Sequence, residues 1–471
     1  MRRPRPLARA TVRGGALSAA LALGVFTTQL DGPAAPVSAS PAEVAATTTT
    51  LAPTTTEPST TTTSWTTTST SSTTTSTSTT TTAPAPAPAG LVEAVQAGLS
   101  DPRFEHATVG LAVWVEGSGM VLAHNADLAL RPGSNEKLLV AWGAYGLIGA
   151  GASLTTEVRA DGERDGATLR GHLVLVGGGD PSLRSRGGHS LDRLAAAVRA
   201  QGISEVSGDL VADESRFDSE RRAPGWTNFH VPNFVGPLSA LAVDRNVLRT
   251  DPEYLANPAL GNVGAFRAAL ARQGVTVAGG DRMGTAPETA SVVASVSSPS
   301  VSELAREMLT NSDNFYAEML LKEVGRRALG LGTLENGVAA VRQQAAEAGV
   351  RLTGRAADGS GLSRDDSRPP REWAELLVAA RSQPWFDEMV GGLAVAGRTG
   401  TLANRFLGTP AAGNVRAKTG SVRETRALSG YVTTAGGRHV VFSLVVNSNP
   451  VPAAVIPAID SVVAAIAANA G

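Results

Sequence analysis

The spacing of hydrophobic residues separates a patterned region, which begins near residue 90, from an unpatterned start. In the patterned region, apolar and polar residues alternate over Thr108–Glu116 and again over Met120–Ala123. Alternation with a period of two predicts β-strands, and the glycine-rich turn between these segments predicts a hairpin. The spacing then changes to the helical period, which predicts a helix from Ser134 to about Ile148.

The same two periods predict most of the remaining elements. Helical spacing occurs at Leu91–Leu99, Leu191–Gln201, Val263–Gln273, Val301–Thr310, Asn314–Leu329, Leu334–Ala348, Arg371–Ala380 and Pro452–Ala468. Strand-like segments occur at Leu173–Val176, Asp209–Ala212, Val275–Ala278, Val415–Lys418, Arg426–Thr433 and His439–Val446.

The order of these elements predicts an α/β (α+β) fold. We expect the strands at the end of the chain to pair with the first hairpin in one central antiparallel sheet flanked by helices. The mixed middle of the chain then forms an insertion. The predicted boundaries are residues 90–152 for the first part of the core, 153–297 for the insertion domain and 298–471 for the second part of the core.

The residues before position 90 have the composition of targeting and spacer segments. Arginines precede an apolar run from Gly14 to Phe26, and Val37–Ala39 offers small residues for cleavage, so residues 1–39 are predicted to be a secretory signal. Residues 40–89 are rich in Thr, Ser and Pro and predict a disordered linker, with an O-glycosylated stalk as the alternative. We therefore expect an extracytoplasmic protein, secreted or associated with the cell envelope. An uncleaved signal that tethers the protein to a membrane is the alternative to cleavage.

Composition excludes several classes of function. The net charge of −1 argues against a nucleic-acid-binding protein, which would carry a basic excess. Cysteine is absent from the sequence, so there is neither a disulfide framework nor a thiol nucleophile. The six histidines are scattered without metal-ligand spacing. We expect a soluble enzyme domain that needs neither a metal nor a cofactor.

Lysine is rare in this chain, and its positions point to candidate chemistry. Only three of the 41 basic side chains are lysines, at positions 137, 322 and 418. Lys137 follows Ser134 by three residues, which places both side chains on one face of a helix. A lysine with a lowered pKa can activate a serine, whereas an arginine does not release its proton. The alternative is that Ser134 merely caps the helix.

Two further motifs follow in order along the chain. Ser312–Asn314 reads Ser-Asp-Asn and precedes a predicted helix, which Ser312 would simply cap in the alternative interpretation. Lys418–Gly420 reads Lys-Thr-Gly at the end of a predicted strand. Lysine and threonine suit recognition of a carboxylate, and glycine lets a substrate lie close to the backbone. The alternative is a solvated lysine before a glycine turn. Lys322 is interpreted as an ordinary helix-surface residue.

The ordered set S-x-x-K, S-D-N and K-T-G is typical of class A β-lactamases and penicillin-binding proteins. The chain resembles, more specifically, the serine-type D-alanyl-D-alanine carboxypeptidases of the S13 (DacB-like, low-molecular-mass class C) penicillin-binding protein family. Five longer segments carry this resemblance: GGGDPSL (Gly177–Leu183), SDNFYAEMLL (Ser312–Leu321), DGSGLSR (Asp358–Arg364), LAVAGRTGTLANRF (Leu393–Phe406) and KTGSVRETRALSGYV (Lys418–Val432).

The resemblance implies a transpeptidase-like core and a role for each motif residue. Ser134 would be the acylated nucleophile and Lys137 its proton acceptor. Ser312 and Lys418 would pass the proton to the leaving D-alanine amine, and Asn314 would hold the substrate amide. The remaining implied roles concern substrate binding: Lys418 and Thr419 for the terminal carboxylate, Gly420 for close approach of the substrate, and the backbone N–H groups of Ser134 and Ser421 for the oxyanion.

Two departures from the family pattern are visible. Ser421 stands where many relatives have threonine, and it keeps the hydroxyl. The interval of 178 residues from Ser134 to Ser312 is shorter than is usual, so we expect a reduced insertion.

The resemblance implies hydrolysis of D-Ala-D-Ala-type bonds in peptidoglycan stem peptides, by carboxypeptidase or endopeptidase action. β-Lactam antibiotics would be acylating inhibitors. Two other functions are weighed against it. One is a serine β-lactamase, which needs a fast deacylating water. The other is a non-catalytic cell-wall scaffold with a vestigial core, which the intact motifs disfavour.

Overall fold

The structure is a computed structural model that describes residues 85–470 of the 471 residues. The predicted signal and most of the predicted linker therefore lie outside the described residues. The helices of the described region are α1 (Leu91–Leu99), α2 (Lys137–Gly143), α3 (Leu191–Ala200), α4 (Pro252–Ala256), α5 (Pro258–Arg272), α6 (Val301–Asn311), α7 (Asn314–Leu329), α8 (Leu334–Glu347), α9 (Pro370–Ala380), α10 (Phe386–Gly392) and α11 (Val455–Ala468).

The strands of the described region form two sheets. They are β1 (Thr108–Val115), β2 (Gly119–His124), β3 (Thr155–Asp165), β4 (Thr168–Val176), β5 (Glu205–Val206), β6 (Leu210–Asp213), β7 (Thr276–Val277), β8 (Asp281–Met283), β9 (Ser291–Ser297), β10 (Ala394–Val395), β11 (Arg416–Val422), β12 (Thr425–Thr433) and β13 (His439–Asn447).

The first sheet is antiparallel and has the order β10-β11-β12-β13-β1-β2. Its centre joins the two ends of the chain, since β13 pairs with β1 in a register that places Val446 opposite Val109. The predicted pairing of terminal strands with the first hairpin is therefore confirmed.

Helices cover both faces of this sheet, so the five consecutive residues Val109–Val113 of β1 are all buried, rather than every second one as the expected alternation implied. Leu111 and Val113 of β1 belong to one buried cluster, together with residues of α1 and α11. Ala112, between them, belongs to a second cluster that includes residues of α2 and α6–α9. Successive strand residues point to opposite faces, so a fully apolar strand implies a sheet buried on both sides.

The second sheet contains β3–β9 and has mixed strand directions. Its main path runs β7-β5-β4-β3-β9, and β6 joins β4 and β8. Residues of α3 and α5 pack on it in a buried cluster of their own. The local pattern does not predict the interior strand β3 or the edge strand β9 beside it, because both carry many polar residues. The division at residues 153 and 297 stays a prediction.

The segment predicted as one helix from Ser134 to Ile148 is composite. It begins as a 3-10 turn over Gly133–Glu136, continues as α2 and ends as a π-helical turn over Ala144–Gly149. Over residues 85–470, none of the helices has both the length and the apolar character required to cross a bilayer.

Candidate active site

The Ser134 hydroxyl lies directly beside the Lys137 amine. Lys137 is fully buried, and its Nζ donates to Ser134 Oγ at 3.0 Å, to Asn314 Oδ1 at 2.8 Å and to the Ser360 carbonyl at 2.7 Å. Ser134 lies within the 3-10 turn, and no side chain caps that turn. The interpretation of Ser134 as a helix cap is therefore wrong.

Burial lowers the pKa of Lys137 to about 8. The cause is loss of solvation of the ammonium, which the nearby carboxylates of Asp358, Glu318 and Asp313 oppose only in part. A lysine in this range is close enough to neutral pH to accept the proton of a serine hydroxyl. Burial thus supplies the lowered pKa that a lysine needs to activate a serine.

Ser312 and Lys418 form a second serine–lysine pair. Lys418 is fully buried, and its Nζ donates to Ser312 Oγ at 2.8 Å and to the Thr419 carbonyl at 2.9 Å. Burial, with a contribution from the positive charge of Lys137, holds the pKa of Lys418 well below its usual value. The alternative of a solvated lysine before a glycine turn is therefore wrong, and the K-T-G motif lies within β11 rather than at the end of a strand.

The S-D-N motif lies at the junction of α6 and α7. Ser312 has a left-handed backbone with a φ of 62°. The cap of α7 is Asp313, whose Oδ1 accepts a hydrogen bond from the N–H of Tyr316 at 3.0 Å. The alternative that Ser312 caps this helix is therefore wrong, and its hydroxyl is directed at Lys418 instead.

The K-T-G strand runs alongside the turn that carries Ser134. A Cβ atom on Gly420 would lie 2.5 Å from the Pro132 carbonyl oxygen and 3.4 Å from the Ser134 nitrogen, so only glycine permits this approach. Thr419 Oγ1 donates to Thr401 Oγ1 at 2.8 Å. β11 therefore brings its backbone against the turn that carries Ser134.

The predicted residues surround one pocket of about 630 Å³. Ser134, Ser312, Asn314, Thr419 and Ser421 line it, and Lys137, Lys418 and Gly420 lie behind them in contact with the lining residues. All eight residues predicted from the sequence are thus brought together from distant parts of the chain.

The D-G-S-G segment, which carries part of the family resemblance but has no role predicted from the sequence, completes the surroundings of Lys137. The Ser360 carbonyl is the third acceptor of Lys137. The carboxylate of Glu318 fixes this peptide by accepting from the N–H groups of Gly359 at 2.9 Å and Ser360 at 2.8 Å. Burial and the neighbouring Asp358 raise the pKa of Glu318 to about 8. The signal for Glu318 was its position, one helical turn after Asn314.

Residues from the middle of the chain also reach the pocket and were missed. Thr227, Phe229, His230 and Phe234 line it, and the Phe234 carbonyl accepts from Asn314 Nδ2 at 3.0 Å. Nothing in the local pattern of this segment indicated such a position.

Lys322 is not a surface residue, which corrects the interpretation made from the sequence. Its side chain is fully buried, forms an ion pair with Asp218 and donates to the Glu220 carbonyl at 3.0 Å. Loss of solvation lowers the pKa of Lys322. Its partners lie about 100 residues away in the chain, so the helical pattern around it could not reveal them.

The fold and the site together define a class of protein. A helix-flanked antiparallel sheet with S-x-x-K, S-D-N and K-T-G converging on one pocket is the arrangement of serine acyl-transfer enzymes, which include penicillin-binding proteins and β-lactamases. Within that class, residues 91–262 and 254–469 match the D-Ala-D-Ala carboxypeptidase 3 (S13) family. The chain belongs to this family of serine-type carboxypeptidases.

Individual relatives agree with this assignment. A D-alanyl-D-alanine carboxypeptidase from an Actinomadura species is 32% identical over 458 residues, covering 78% of this chain and 83% of the relative. Carboxypeptidase DacB from Mycolicibacterium smegmatis is 32% identical over 398 residues, covering 78% and 82%. Penicillin binding protein 4 from Haemophilus influenzae has the same fold, with a TM-score of 0.68 at 22% identity, covering 76% of this chain and 93% of that one.

Proposed function

We propose that this serine-type D-Ala-D-Ala carboxypeptidase hydrolyses the terminal D-Ala–D-Ala bond of peptidoglycan stem peptides through an acyl-enzyme at Ser134. The observation that carries the proposal is the 3.0 Å contact between Lys137 Nζ and Ser134 Oγ, made by a buried amine whose pKa is lowered to about 8. A hydroxyl becomes an effective nucleophile when a base at this distance takes its proton.

Acylation then proceeds by a balanced exchange of bonds. Ser134 Oγ attacks the carbonyl carbon of the penultimate D-alanine while its proton moves to Lys137 Nζ. The backbone N–H groups of Ser134 and Ser421 stabilise the oxyanion, and each such donor contributes about 3 kcal/mol in serine hydrolases. Asn314, which contacts Lys137 at 2.8 Å, orients the amine and the substrate amide.

Collapse of the tetrahedral intermediate breaks the C–N bond and needs a proton for the leaving amine. The Ser312–Lys418 pair supports this role, because the two groups are 2.8 Å apart and share the pocket with Ser134. The terminal D-alanine leaves as the free amino acid. Water then attacks the ester, which releases the shortened peptide with a new carboxylate and restores the Ser134 hydroxyl.

Binding of the substrate terminus falls to the K-T-G strand. Lys418 supplies positive charge, Thr419 supplies a hydroxyl, and Gly420 leaves room for the substrate backbone. We include endopeptidase action in the proposal. In that reaction the pocket would bind a D-Ala-containing cross-link between two peptides, and the longer chain would extend through its open end.

β-Lactams are the proposed inhibitors. A structure of penicillin binding protein 4 from Haemophilus influenzae is a complex with a β-lactam, which supports binding of β-lactams by this chain. We further propose that the protein acts outside the cytoplasm on the wall polymer, with residues 153–297 as an insertion domain. Tethering through an uncleaved N-terminal segment remains part of the proposal.

Labelling with a fluorescent penicillin tests the proposed function. We expect a long-lived adduct on the wild-type protein and no adduct on Ser134→Ala, together with release of D-alanine from a stem pentapeptide by the wild type only. Rapid turnover of the penicillin would indicate a β-lactamase instead. Absence of any adduct on the folded wild-type protein would indicate a scaffold with a vestigial core.

A further inference from the structure

Three successive residues in the middle of the chain have a left-handed backbone. Asp244, Arg245 and Asn246 have φ values of 47°, 58° and 55°, and none of them is glycine. Side chains beyond glycine rarely adopt this conformation, and it persists only where the surroundings impose it. Such strain often marks a functional constraint.

The surroundings of this turn do impose its conformation. Asn246 Oδ1 accepts from the N–H of Val243 at 3.1 Å and from Asn262 Nδ2 at 2.8 Å, and Asn246 Nδ2 donates to the Pro237 carbonyl at 2.9 Å. All of this lies in the buried interior, since Asn246 and Asn262 are fully buried. The polar network therefore holds the turn in one shape.

The side chain of Arg245, the central residue of the turn, is directed at the S-D-N motif. Its Nη2 lies 2.9 Å from Asp313 Oδ2 and 3.6 Å from Glu307 Oε1, and the guanidinium lies 5.2 Å from the centre of the Tyr316 ring. Asp313 is thus held from two sides, because its other oxygen caps α7 through the N–H of Tyr316.

The position of Asp313 matters because Ser312 and Asn314, its neighbours in the chain, are both proposed catalytic residues. Ser312 contacts Lys418 at 2.8 Å, and Asn314 contacts Lys137 at 2.8 Å. Ser312 is itself in a left-handed conformation, which is not its intrinsic preference. A rotation of the Asp313 peptide would therefore move both groups away from their lysines.

We propose that Arg245 is a positioning residue for acylation: through its ion pair with Asp313 it holds the Ser312 hydroxyl and the Asn314 amide on the two active-site lysines. The proposal rests on the acyl-enzyme mechanism proposed above. On this proposal, the strained turn at Asp244–Asn246 supports the active site from outside. No atom of Arg245 is expected to touch the substrate.

The test measures the rate constant of acylation by a fluorescent penicillin in the full-length chain. We expect Arg245→Ala to lower it by about tenfold to a hundredfold, as small displacements of catalytic groups do. Arg245→Lys should recover part of the rate because it keeps a charge near Asp313. The matched control is Arg249→Ala, which removes another arginine of the same segment whose ion-pair partner is Asp251, and it should acylate within twofold of the wild type.

A double-variant comparison separates positioning from general loss of structure. Asp313→Asn keeps an oxygen that can cap α7 but removes a charge that also raises the pKa of Lys137, so the comparison is made at about pH 9, where Lys137 is mostly neutral in both proteins. At that pH we expect it to slow acylation as Arg245→Ala does. Combining the two changes should cost little more than either alone, since both break the same contact. Urea unfolding of each variant confirms that the compared proteins are folded.

Three results would overturn the inference: Arg245→Ala or Asp313→Asn acylating at the wild-type rate, Arg245→Lys being as slow as Arg245→Ala, or additive effects in the double variant. These outcomes are distinct from failure of the proposed function, in which the wild-type protein itself would form no adduct. If Arg245→Ala does not fold, the acylation rates of Asp313→Asn and Arg245→Lys test the same inference.

Discussion

Lys137 directs all three donors of its ammonium group at oxygen atoms, on Ser134, Asn314 and Ser360. This set of acceptors holds the amine in place in either protonation state. In the ammonium form it donates to Ser134, and in the neutral form it accepts the proton of that hydroxyl. In the proposed mechanism, the protonation of Lys137 therefore controls whether Ser134 can act as a nucleophile.

The pH dependence of acylation follows from this residue. Because the pKa of Lys137 is lowered to about 8, the neutral base becomes more abundant as the pH rises toward 8. We expect the acylation rate constant to increase from pH 6 to about 8 and then to level off. Stopped-flow measurement of acylation by a chromogenic β-lactam across this pH range checks the expected increase. Lys137→Arg should be inactive at every pH, because guanidinium does not deprotonate, and activity in that variant would contradict the assigned base.

Gly420 provides a second test at the residue scale. In Gly420→Ala the new methyl would lie 2.5 Å from the Pro132 carbonyl oxygen, so β11 must move away from the Ser134 turn. We expect acylation to fall by about tenfold or more, because the oxyanion donors separate. The matched control is Gly151→Ala, whose methyl meets no atom within 4 Å. Equal rates for the two variants would show that the close approach is not required.

At the scale of elements, α7 connects the chemistry of the site to the rest of the molecule. Asn314, Glu318 and Lys322 follow one another at intervals of four residues and so lie along one face. The first contacts Lys137, the second holds the Ser360 peptide, and the third pairs with Asp218. Next to it, the buried carboxylate of Glu323 receives a two-point hydrogen bond from Arg216.

The buried ion pair of α7 gives a prediction about stability. Asp218→Asn leaves the buried ammonium of Lys322 without its carboxylate, so we expect the free energy of unfolding to fall by about 3 kcal/mol. Urea denaturation followed by circular dichroism measures this. Asp165→Asn removes an exposed partner of Arg170 and should leave the unfolding curve unchanged within error. A similar result for both variants would mean that burial does not strengthen the pair.

At the scale of the whole molecule, the site is assembled from both parts of the core and from the middle of the chain. Residues near positions 134, 230, 312, 360 and 420 all meet at one pocket. Each supporting contact lies within residues 85–470. We therefore expect the Thr-rich start of the chain to be dispensable for chemistry in solution.

Truncation tests this conclusion. We expect a chain that begins at Ala83 to be acylated by penicillin, and to release D-alanine from a soluble pentapeptide, at rates within twofold of the full-length protein. The physical reason is that every hydrogen bond of the active-site lysines is made by residues retained in it. A large loss of activity in the folded truncated chain would show that the removed segment contributes to the site.

Prediction from sequence succeeded where local pattern is strong. The bounds of α1 and α7 are those predicted, because amphipathic spacing and a clear start or stop define each helix. It failed at β3 and β9, whose polar residues obscure the strand period. Ser134 was placed at a helix start, but the 3-10 geometry of Gly133–Glu136 depends on packing against β11 and residues near Gly361.

The sequence by itself determined which reactive residue types are present: one S-x-x-K, one S-D-N and one K-T-G motif in order, with two of the three lysines inside these motifs. The tertiary structure alone decided which groups surround them. The lowered pKa of Lys137, the burial of Lys322 and the contact of Arg245 with Asp313 all arise from residues far apart in the chain. Burial and ion pairing depend on distances in space, and local sequence patterns do not encode those distances.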